Sequence, residues 1–453
     1  MLIADAPGRW PVLGHAPRLL RAPLAFLTSL PAHGDLVRVR IGPATAVLVC
    51  DPELTYQVLH DDRTFDKGGP IYDHVRKAMG NGLVSCTRGQ HRRQRRLCQP
   101  AFHPNRIPGY ADVMAAQAAA VAGSWRDGDI LDVNAEMFQI SIRTVMTTLF
   151  ADALPPTVLR HALDDVSSIF DGVFRQMLTP PPLDRLPTPA NRRYHHARIR
   201  MRATLARAIA DRRANDADHG DLLSAMLAAP SREDGDDRLT DVEIADQAVT
   251  FFIGGSETVA ATLSWALYLL AQHPDVADRL RAEADTVLQG RPAAHADLPS
   301  LELARRIVTE TLRLWPPAWL LTRMVTSDTE LGGQPLPAGT VVAYSPYLIH
   351  RRPDLYIDPD RFDPGRWEGR QQPPREAFIP FGGGARKCIG DTFAFTEATL
   401  ALATITARWS LHLLPGQHFR PAVGATVTPR GLRMRAVAKP QSALPGMPQP
   451  RVS

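Results

Sequence analysis

One helix constrains everything else in this chain. Thr240 and Glu243 stand three apart at the head of a long apolar run, a pairing in which hydroxyl and carboxylate each satisfy a free N–H group of a helix start. Apolar periodicity then runs to His273-Pro274, giving about 32 residues, or roughly 48 Å at 1.5 Å per residue. Such a helix crosses a whole domain, so the rest of the chain has to wrap around it. Residues 245–271 have the length of a membrane span, but Asp246 stands at their edge and Glu257 near their middle. Charges at such depths are costly in lipid, and a helix buried in a water-soluble protein fits better. A chain of 453 residues, 44% of them hydrophobic, can bury a core of that size.

Around this helix the pattern is mainly α with a small β region. Val37, Val39 and Ile41 alternate with Arg38 and Arg40, and Gly42-Pro43 then separates them from an apolar AVLVC run; together these read as a hairpin. From about residue 51 to 272 the pattern is helical, broken at Pro100, at the proline-rich run from Thr179 and at the polar run from Ser231. A further helix starts after Ser300 and stops at Pro316-Pro317, and short strands between Leu331 and Tyr347 turn on Gly332-Gly333. Residues 345–384 are irregular, and a loop of that length inside a compact domain usually carries function. With no repeat or linker, the chain reads as one domain over residues 1–453 with a loose tail from about 440.

Cys50, Cys86, Cys98 and Cys388 form no CxxC pair, so neither a disulfide framework nor a zinc site is indicated, and a reducing compartment is expected. The first twenty residues hold no basic segment followed by an apolar one, which argues against a signal peptide or membrane anchor and for a cytoplasmic location. A formal net charge of +5 is too small and too well mixed for a dedicated nucleic-acid binder.

The densest chemical signal is Phe381-Gly-Gly-Gly-Ala-Arg386-Lys-Cys388-Ile-Gly390, directly followed by a helical pattern. A cysteine at a helix start has its thiolate favoured by the dipole and by free N–H groups, while glycines let backbone approach a flat ligand. A lone cysteine is ordinarily a small buried hydrophobe, but these residues match FxxGxRxCxG at every fixed position. The chain thereby resembles the cytochrome P450 family. That resemblance implies the P450 fold with haem b between the long central helix and the cysteine-loop helix. It also implies Cys388 as axial iron ligand, Arg386 on a haem propionate and Phe381 beside the thiolate, whose electron donation favours O–O cleavage.

Other segments extend the resemblance. Glu310 and Arg313, on the helix ending in Pro316-Pro317, match ExxR, and Pro359-Asp-Arg361-Phe362 matches PxRF; an ion-pair network of Glu310, Arg313 and Arg361 is implied. Glu302 and Arg305 have the same spacing, for which a surface pair is the default. His91 and Arg95 stand where the family has WxxxR, with His in place of Trp, and both, with Arg323, are implied to reach propionates. Arg92, Arg93 and Arg96 point elsewhere on that helix and read as a solvated basic face that suits an acidic redox protein.

Within the central helix, Gly254-Gly255-Ser256-Glu257-Thr258 matches [AG]Gx[DE]T. Adjacent glycines in a helix interior cost about 1 kcal/mol each, and close approach to haem is the implied reason. Thr258 is then implied to hydrogen-bond bound dioxygen or a water, and Glu257 to help deliver protons. The resemblance leaves no flavin or iron–sulfur module over, so electrons from NAD(P)H are expected through a separate ferredoxin reductase and ferredoxin. A haem protein that binds ligands without turnover is the reading from another class, against which Glu257 and Thr258 speak.

By family analogy, pocket walls fall in residues 66–89, in residues 170–186, at Phe251, Phe252 and Gly255, and in residues 318–321. They are largely apolar, Gly255 leaving room for a compact ring system. RTFDKGGPIYD, HRRQRRLCQPAFHP and MLTPPPLDRLPTPANRRY resemble segments of the bacterial terpene-oxidising branch. A cyclic sesquiterpene oxidised at a methyl group, in antibiotic biosynthesis, is the implied substrate, with other terpenoids, fatty acids and macrolides as alternatives.

Overall fold

The computed structural model describes residues 3–150, 186–215, 218–228, 238–369, 373–417 and 419–439, with scattered residues between 158 and 175. The tail from about 440 lies outside the described residues. The central helix runs Asp241–Gln272. Thr240 Oγ1 accepts from the Glu243 N–H at 3.2 Å and Glu243 Oε2 accepts from the Thr240 N–H at 2.9 Å, so the pair read from the sequence does cap the helix. At the far end His273 departs from helical geometry and Pro274 opens the next helix, Pro274–Leu288.

Helices Ile107–Ser124, Val133–Phe150 and Asp391–Arg408 pack with the central helix into one bundle. Its approach to Val133–Phe150 depends on Gly255, where a Cβ would lie 2.7 Å from Val145 Cγ2. Further along, Trp265 stacks on Trp315 with ring centroids 3.8 Å apart, and its Nε1 donates to the Val427 carbonyl at 2.9 Å. The indole is thus buried without stranding its one donor.

The expected hairpin forms as Leu36–Ile41 and Ala44–Val49, turning at Gly42 with φ +58°. It belongs to a six-stranded sheet ordered Ala4–Asp5, Leu36–Ile41, Ala44–Val49, Val341–Tyr344, Leu321–Val325, Phe65–Asp66. Gly332 and Gly333, both at positive φ, turn a second hairpin between Thr329–Leu331 and Gln334–Leu336. A smaller sheet joins Trp409–Leu413, Arg433–Ala438 and Ile130–Asp132. A second hydrophobic cluster, including Leu30, Val37, Val49, Val342 and Ile349, packs beneath the larger sheet. The architecture is mainly α with a small β region, as expected. Among the described residues no helix is long and apolar enough to cross a membrane. The sheet matters to the site because its last two strands pair Asp66 with Met324, bringing Asp66 beside the strand that carries Arg323.

Candidate functional site

The cysteine loop closes on itself before the helix begins. The Cys388 N–H donates to the Phe381 carbonyl at 2.9 Å, and Gly382 and Gly384 take φ +70° and +60°, which a side chain would resist. At Gly384 a Cβ would also collide with the Leu59 carbonyl at the end of helix Pro52–His60. The loop is therefore pressed against a fixed neighbour, and Cys388 emerges exposed, just ahead of helix Asp391–Arg408. Surrounding protein pushes its thiol above the usual range. The Gly390 N–H and the charges of Arg95 and Lys67 pull the other way, as a stabilised thiolate requires. Phe381 is half-buried against the helical core.

A group of basic side chains gathers beside this loop. Helix Arg88–Cys98 buries His91, Gln94, Leu97 and Cys98 on one face, and from it Arg95 donates to the Lys387 carbonyl. Arg386 is buried, donating to Asp66 Oδ1 at 2.5 Å and to the Cys86 carbonyl at 2.9 Å, while its Nε has no partner. Arg323 is 3% exposed, its guanidinium 5.3 Å from the Tyr344 ring centroid. His91 is 3% exposed with Nδ1 unpartnered. Burial holds its pKa near 3, and the charges of Arg386, Lys67, Arg95 and Arg323 add to the effect. Burial likewise brings Lys67 down to about 7, helped by Arg323 and Arg386. Buried cations need anions, and among the described residues the carboxylate paired within this group is Asp66. A ligand bearing two carboxylates, as haem does, fits the excess of positive charge and the orphaned donors. Asp66 and Lys67 fall in the segment expected as a pocket wall, but nothing local in the sequence marks them as charged neighbours of the cysteine loop; strand Phe65–Asp66 brings them there.

Glu310 and Arg313 are both fully buried and paired at 2.7 Å, whereas Glu302 and Arg305 are exposed. The expected third member is corrected. Arg361 is exposed and contributes only its carbonyl, which accepts from Arg313 Nη2 at 3.0 Å. Besides Arg313, the side chains that reach Glu310 are Trp367 Nε1, at 2.8 Å, and Arg366 Nε, at 3.6 Å. Pro364-Gly-Arg366-Trp367 is a second P-x-R-aromatic match five residues on, and this one turns inward through the 3-10 turn Pro364–Trp367.

On the central helix, Gly254 is exposed and a Cβ there would meet nothing within 4 Å, while Glu257 and Thr258 are half-buried. These three lie at i, i+3 and i+4 and share a face; Thr258 Oγ1 donates to the Gly254 carbonyl at 2.6 Å. Gly255 does not leave room for a ligand, since its open side is filled by Val145. Phe251 and Phe252 are not pocket walls either: Phe251 packs edge-on to Phe102 and Phe252 is buried against Phe150. Residues 318–321 are half-buried as a wall would be, and residues 170–186 fall largely outside the described residues. Arg92 and Arg96 are exposed, although Arg92 pairs with Asp62 at 3.3 Å. Arg93 is not free to solvate: it binds Glu243 and the Arg238 carbonyl, each at 2.6 Å.

Comparison with known proteins agrees along the whole chain. The cytochrome P450 family model matches residues 5–433. Pentalenene oxygenase of Streptomyces avermitilis is 47% identical over 437 residues, covering 96% of this chain and 97% of that protein. Cyclooctat-9-en-7-ol 5-monooxygenase of Streptomyces melanosporofaciens is 46% identical, with 91% and 90% covered, and cyclooctatin synthase of the same organism is 45% identical, with 95% and 94% covered. The crystal structure of the cytochrome P450DA haem domain superposes with a TM-score of 0.87 at 28% identity, over 97% of this chain and 99% of that one. With its cysteine loop, its buried ExxR pair and its long helix all held in one such frame, this chain belongs to the cytochrome P450 family.

Proposed function

We propose that this P450 monooxygenase inserts one oxygen atom of O2 into an unactivated C–H bond of a cyclic sesquiterpene such as pentalenene. A methyl group would go to the alcohol and then the aldehyde, in the biosynthesis of a secondary metabolite. The observation that carries the reading is near end-to-end identity of 45–47% to three oxygenases, two of them named for the terpenoids they act on. The apolar, half-buried segment Ala318, Trp319, Leu320, Leu321 offers such a substrate shape rather than hydrogen bonds.

Haem b, when bound, supplies the oxygen-activating redox chemistry. Cys388 is the thiolate that would hold its iron, and Phe381 packs beside the loop. Arg95, Arg323, Arg386 and Lys67 would neutralise its two carboxylates, which accounts for charges otherwise buried at a cost, and the neutral His91 imidazole would donate a hydrogen bond to one of them. Gly254 keeps the central helix open on its accessible side. Thr258 and Glu257 would position and pass protons there, the Thr258 hydroxyl having an acceptor in the Gly254 carbonyl and so being fixed in orientation.

Electrons would arrive from NAD(P)H through ferredoxin reductase and ferredoxin, in the cytoplasm. An open groove of about 810 Å3 lined by Arg92, Arg95, Arg96, His103, Arg106 and Ala385 gives an acidic carrier a basic landing beside the cysteine loop. The test is titration of the haem-loaded protein with tricyclic sesquiterpenes and with fatty acids, reading the shift of the haem to high spin, then product with the redox partners supplied. Sesquiterpenes giving both is the expected result. Fatty acids giving both while sesquiterpenes give neither would overturn the substrate and leave the family untouched.

A further inference from the structure

The turn after helix Gly69–Met79, inside the expected pocket wall of residues 66–89, and helix Pro189–Asn215 are held to the central helix by one buried carboxylate. Asp246 is 6% exposed. Its Oδ2 accepts from the Asn81 N–H at 2.7 Å and its Oδ1 accepts from Arg202 Nη2 at 2.9 Å. Asn81 lies in the turn that follows helix Gly69–Met79, and Arg202 lies on helix Pro189–Asn215. The turn fits because it has no side chains at two points. Gly80, at φ +87°, sits where a Cβ would strike the Asp246 carboxylate, and at Gly82 one would strike Thr250 Oγ1.

The neighbouring glutamine extends the clasp. Gln247 Oε1 accepts from the Leu83 N–H at 3.0 Å, Gln247 Nε2 donates to Gln94 Oε1 at 2.9 Å, and Gln94 Nε2 donates to the Asn81 carbonyl at 3.1 Å. Residues 80–83 are thus fastened to consecutive side chains of the central helix, about two turns before Gly254. Of the groups on Asp246, Arg202 is the one able to let go. It is half-exposed and bridges from a separate helix, whereas the Asn81 N–H is fixed in the turn. A buried carboxylate without its cation is strongly disfavoured, so displacing helix Pro189–Asn215 also loosens the acceptor that holds the turn.

We propose that Asp246 is a positioning residue that couples the pocket-wall turn at residues 80–83 to helix Pro189–Asn215, the Arg202–Asp246 pair breaking as a ligand enters or leaves and re-forming behind it. This rests on the P450 pocket of the proposed function but not on its terpenoid substrate. The probe is therefore 4-phenylimidazole, which ligates haem iron inside a P450 pocket whatever the natural substrate, so a failed sesquiterpene assignment leaves the test intact. Stopped-flow association and dissociation are measured on the haem-loaded full chain. Arg202→Met should speed both by about 5-fold, the population shift expected from losing a half-exposed ion pair, while Arg202→Lys keeps the wild-type rates. Asp246→Asn retains an acceptor for Asn81 but loses the charge. It should speed both rates as Arg202→Met does and add nothing in that background. Added salt should speed the wild type and leave Arg202→Met unchanged. An unaltered spectrum of the reduced carbon-monoxide complex in each variant shows that the core is intact. Wild-type rates in Arg202→Met, or independent effects of the two substitutions, would overturn the coupling.

Discussion

Removing Glu310 should cost more than any single exposed change in the loop region, and by an amount the structure sets. Its Oε2 accepts from Arg313 Nε and Trp367 Nε1, each at 2.8 Å, and its Oε1 accepts from Arg313 Nη2 at 2.7 Å and the Asp363 N–H at 3.1 Å. Arg313 spends its other donors on the His350, Pro359 and Arg361 carbonyls at 3.0, 2.6 and 3.0 Å. Glu310→Ala leaves a fully buried guanidinium without its anion, a loss of roughly 3–5 kcal/mol out of a total stability on the order of 5–15 kcal/mol. Trp367→Phe removes one donor to a charged acceptor, about 1.5–3 kcal/mol. Arg361→Ala deletes an exposed side chain and keeps the carbonyl that matters, so its effect stays within about 0.5 kcal/mol. Arg366→Ala, which uncovers a mostly buried cation site next to Glu310, should fall between Arg361→Ala and Glu310→Ala. Urea unfolding of the haem-loaded chain, followed by tryptophan fluorescence and by the Soret band, gives the series. Arg361→Ala costing as much as Arg366→Ala would refute the corrected network, and a loss below about 1 kcal/mol for Glu310→Ala would refute the buried-pair argument itself.

Cys388→Ala should abolish the red-shifted Soret band of the reduced carbon-monoxide complex, whereas Cys50, Cys86 and Cys98, all buried, should tolerate the same change spectroscopically. Thr258→Ala should leave ligand-induced spin shifts nearly intact but raise hydrogen peroxide formed per NAD(P)H consumed; undiminished coupling removes Thr258 from proton delivery. Arg92→Glu with Arg96→Glu should slow reduction by ferredoxin at low salt, the difference shrinking as salt rises, while Arg93→Gln should act mainly on stability through Glu243. Glu397 is fully buried, and burial lifts its pKa from 4.5 to about 8, the nearby Ser141 and Thr144 hydroxyls offsetting only part. Because the folded state holds this proton more tightly than the unfolded one, the wild type should lose stability as pH rises from about 4.5 through about 8, with a ceiling of roughly 5 kcal/mol. Glu397→Gln should flatten that slope, and a parallel slope in both proteins would show the carboxyl to be solvated.

What the sequence revealed divides by the range of the physics involved. The central helix was readable to its ends because the Thr240–Glu243 cap and the His273-Pro274 stop are local, as are the Gly42 and Gly332-Gly333 turns. The cysteine loop was readable because its constraints, positive φ at Gly382 and Gly384 and a thiol at a helix start, lie within ten residues. Where the sequence reading erred, the deciding contact was distant. Two adjacent glycines look alike in a string, yet one faces open space and the other faces Val145 on another helix, so only the packed bundle tells which of them shapes a pocket. Phe251 and Phe252 were misplaced for the same reason: hydrophobicity marks burial but not whether the partner is a ligand or Phe102 and Phe150. Arg361 and Arg366 each follow a proline by two and precede an aromatic residue, and a turn begun at Asp363, whose Oδ1 accepts from the Gly365 N–H at 3.0 Å, decides which one reaches Glu310. Asp66 and Arg386 meet across 320 residues, and Asp246 joins segments 165 and 44 residues before it in sequence. Such contacts depend on how strands and helices are ordered in space, which a motif does not encode. A motif's spacing therefore limits which chemistry a chain can host, while the assignment of each role to one residue rather than its neighbour needs the long-range packing that orients them.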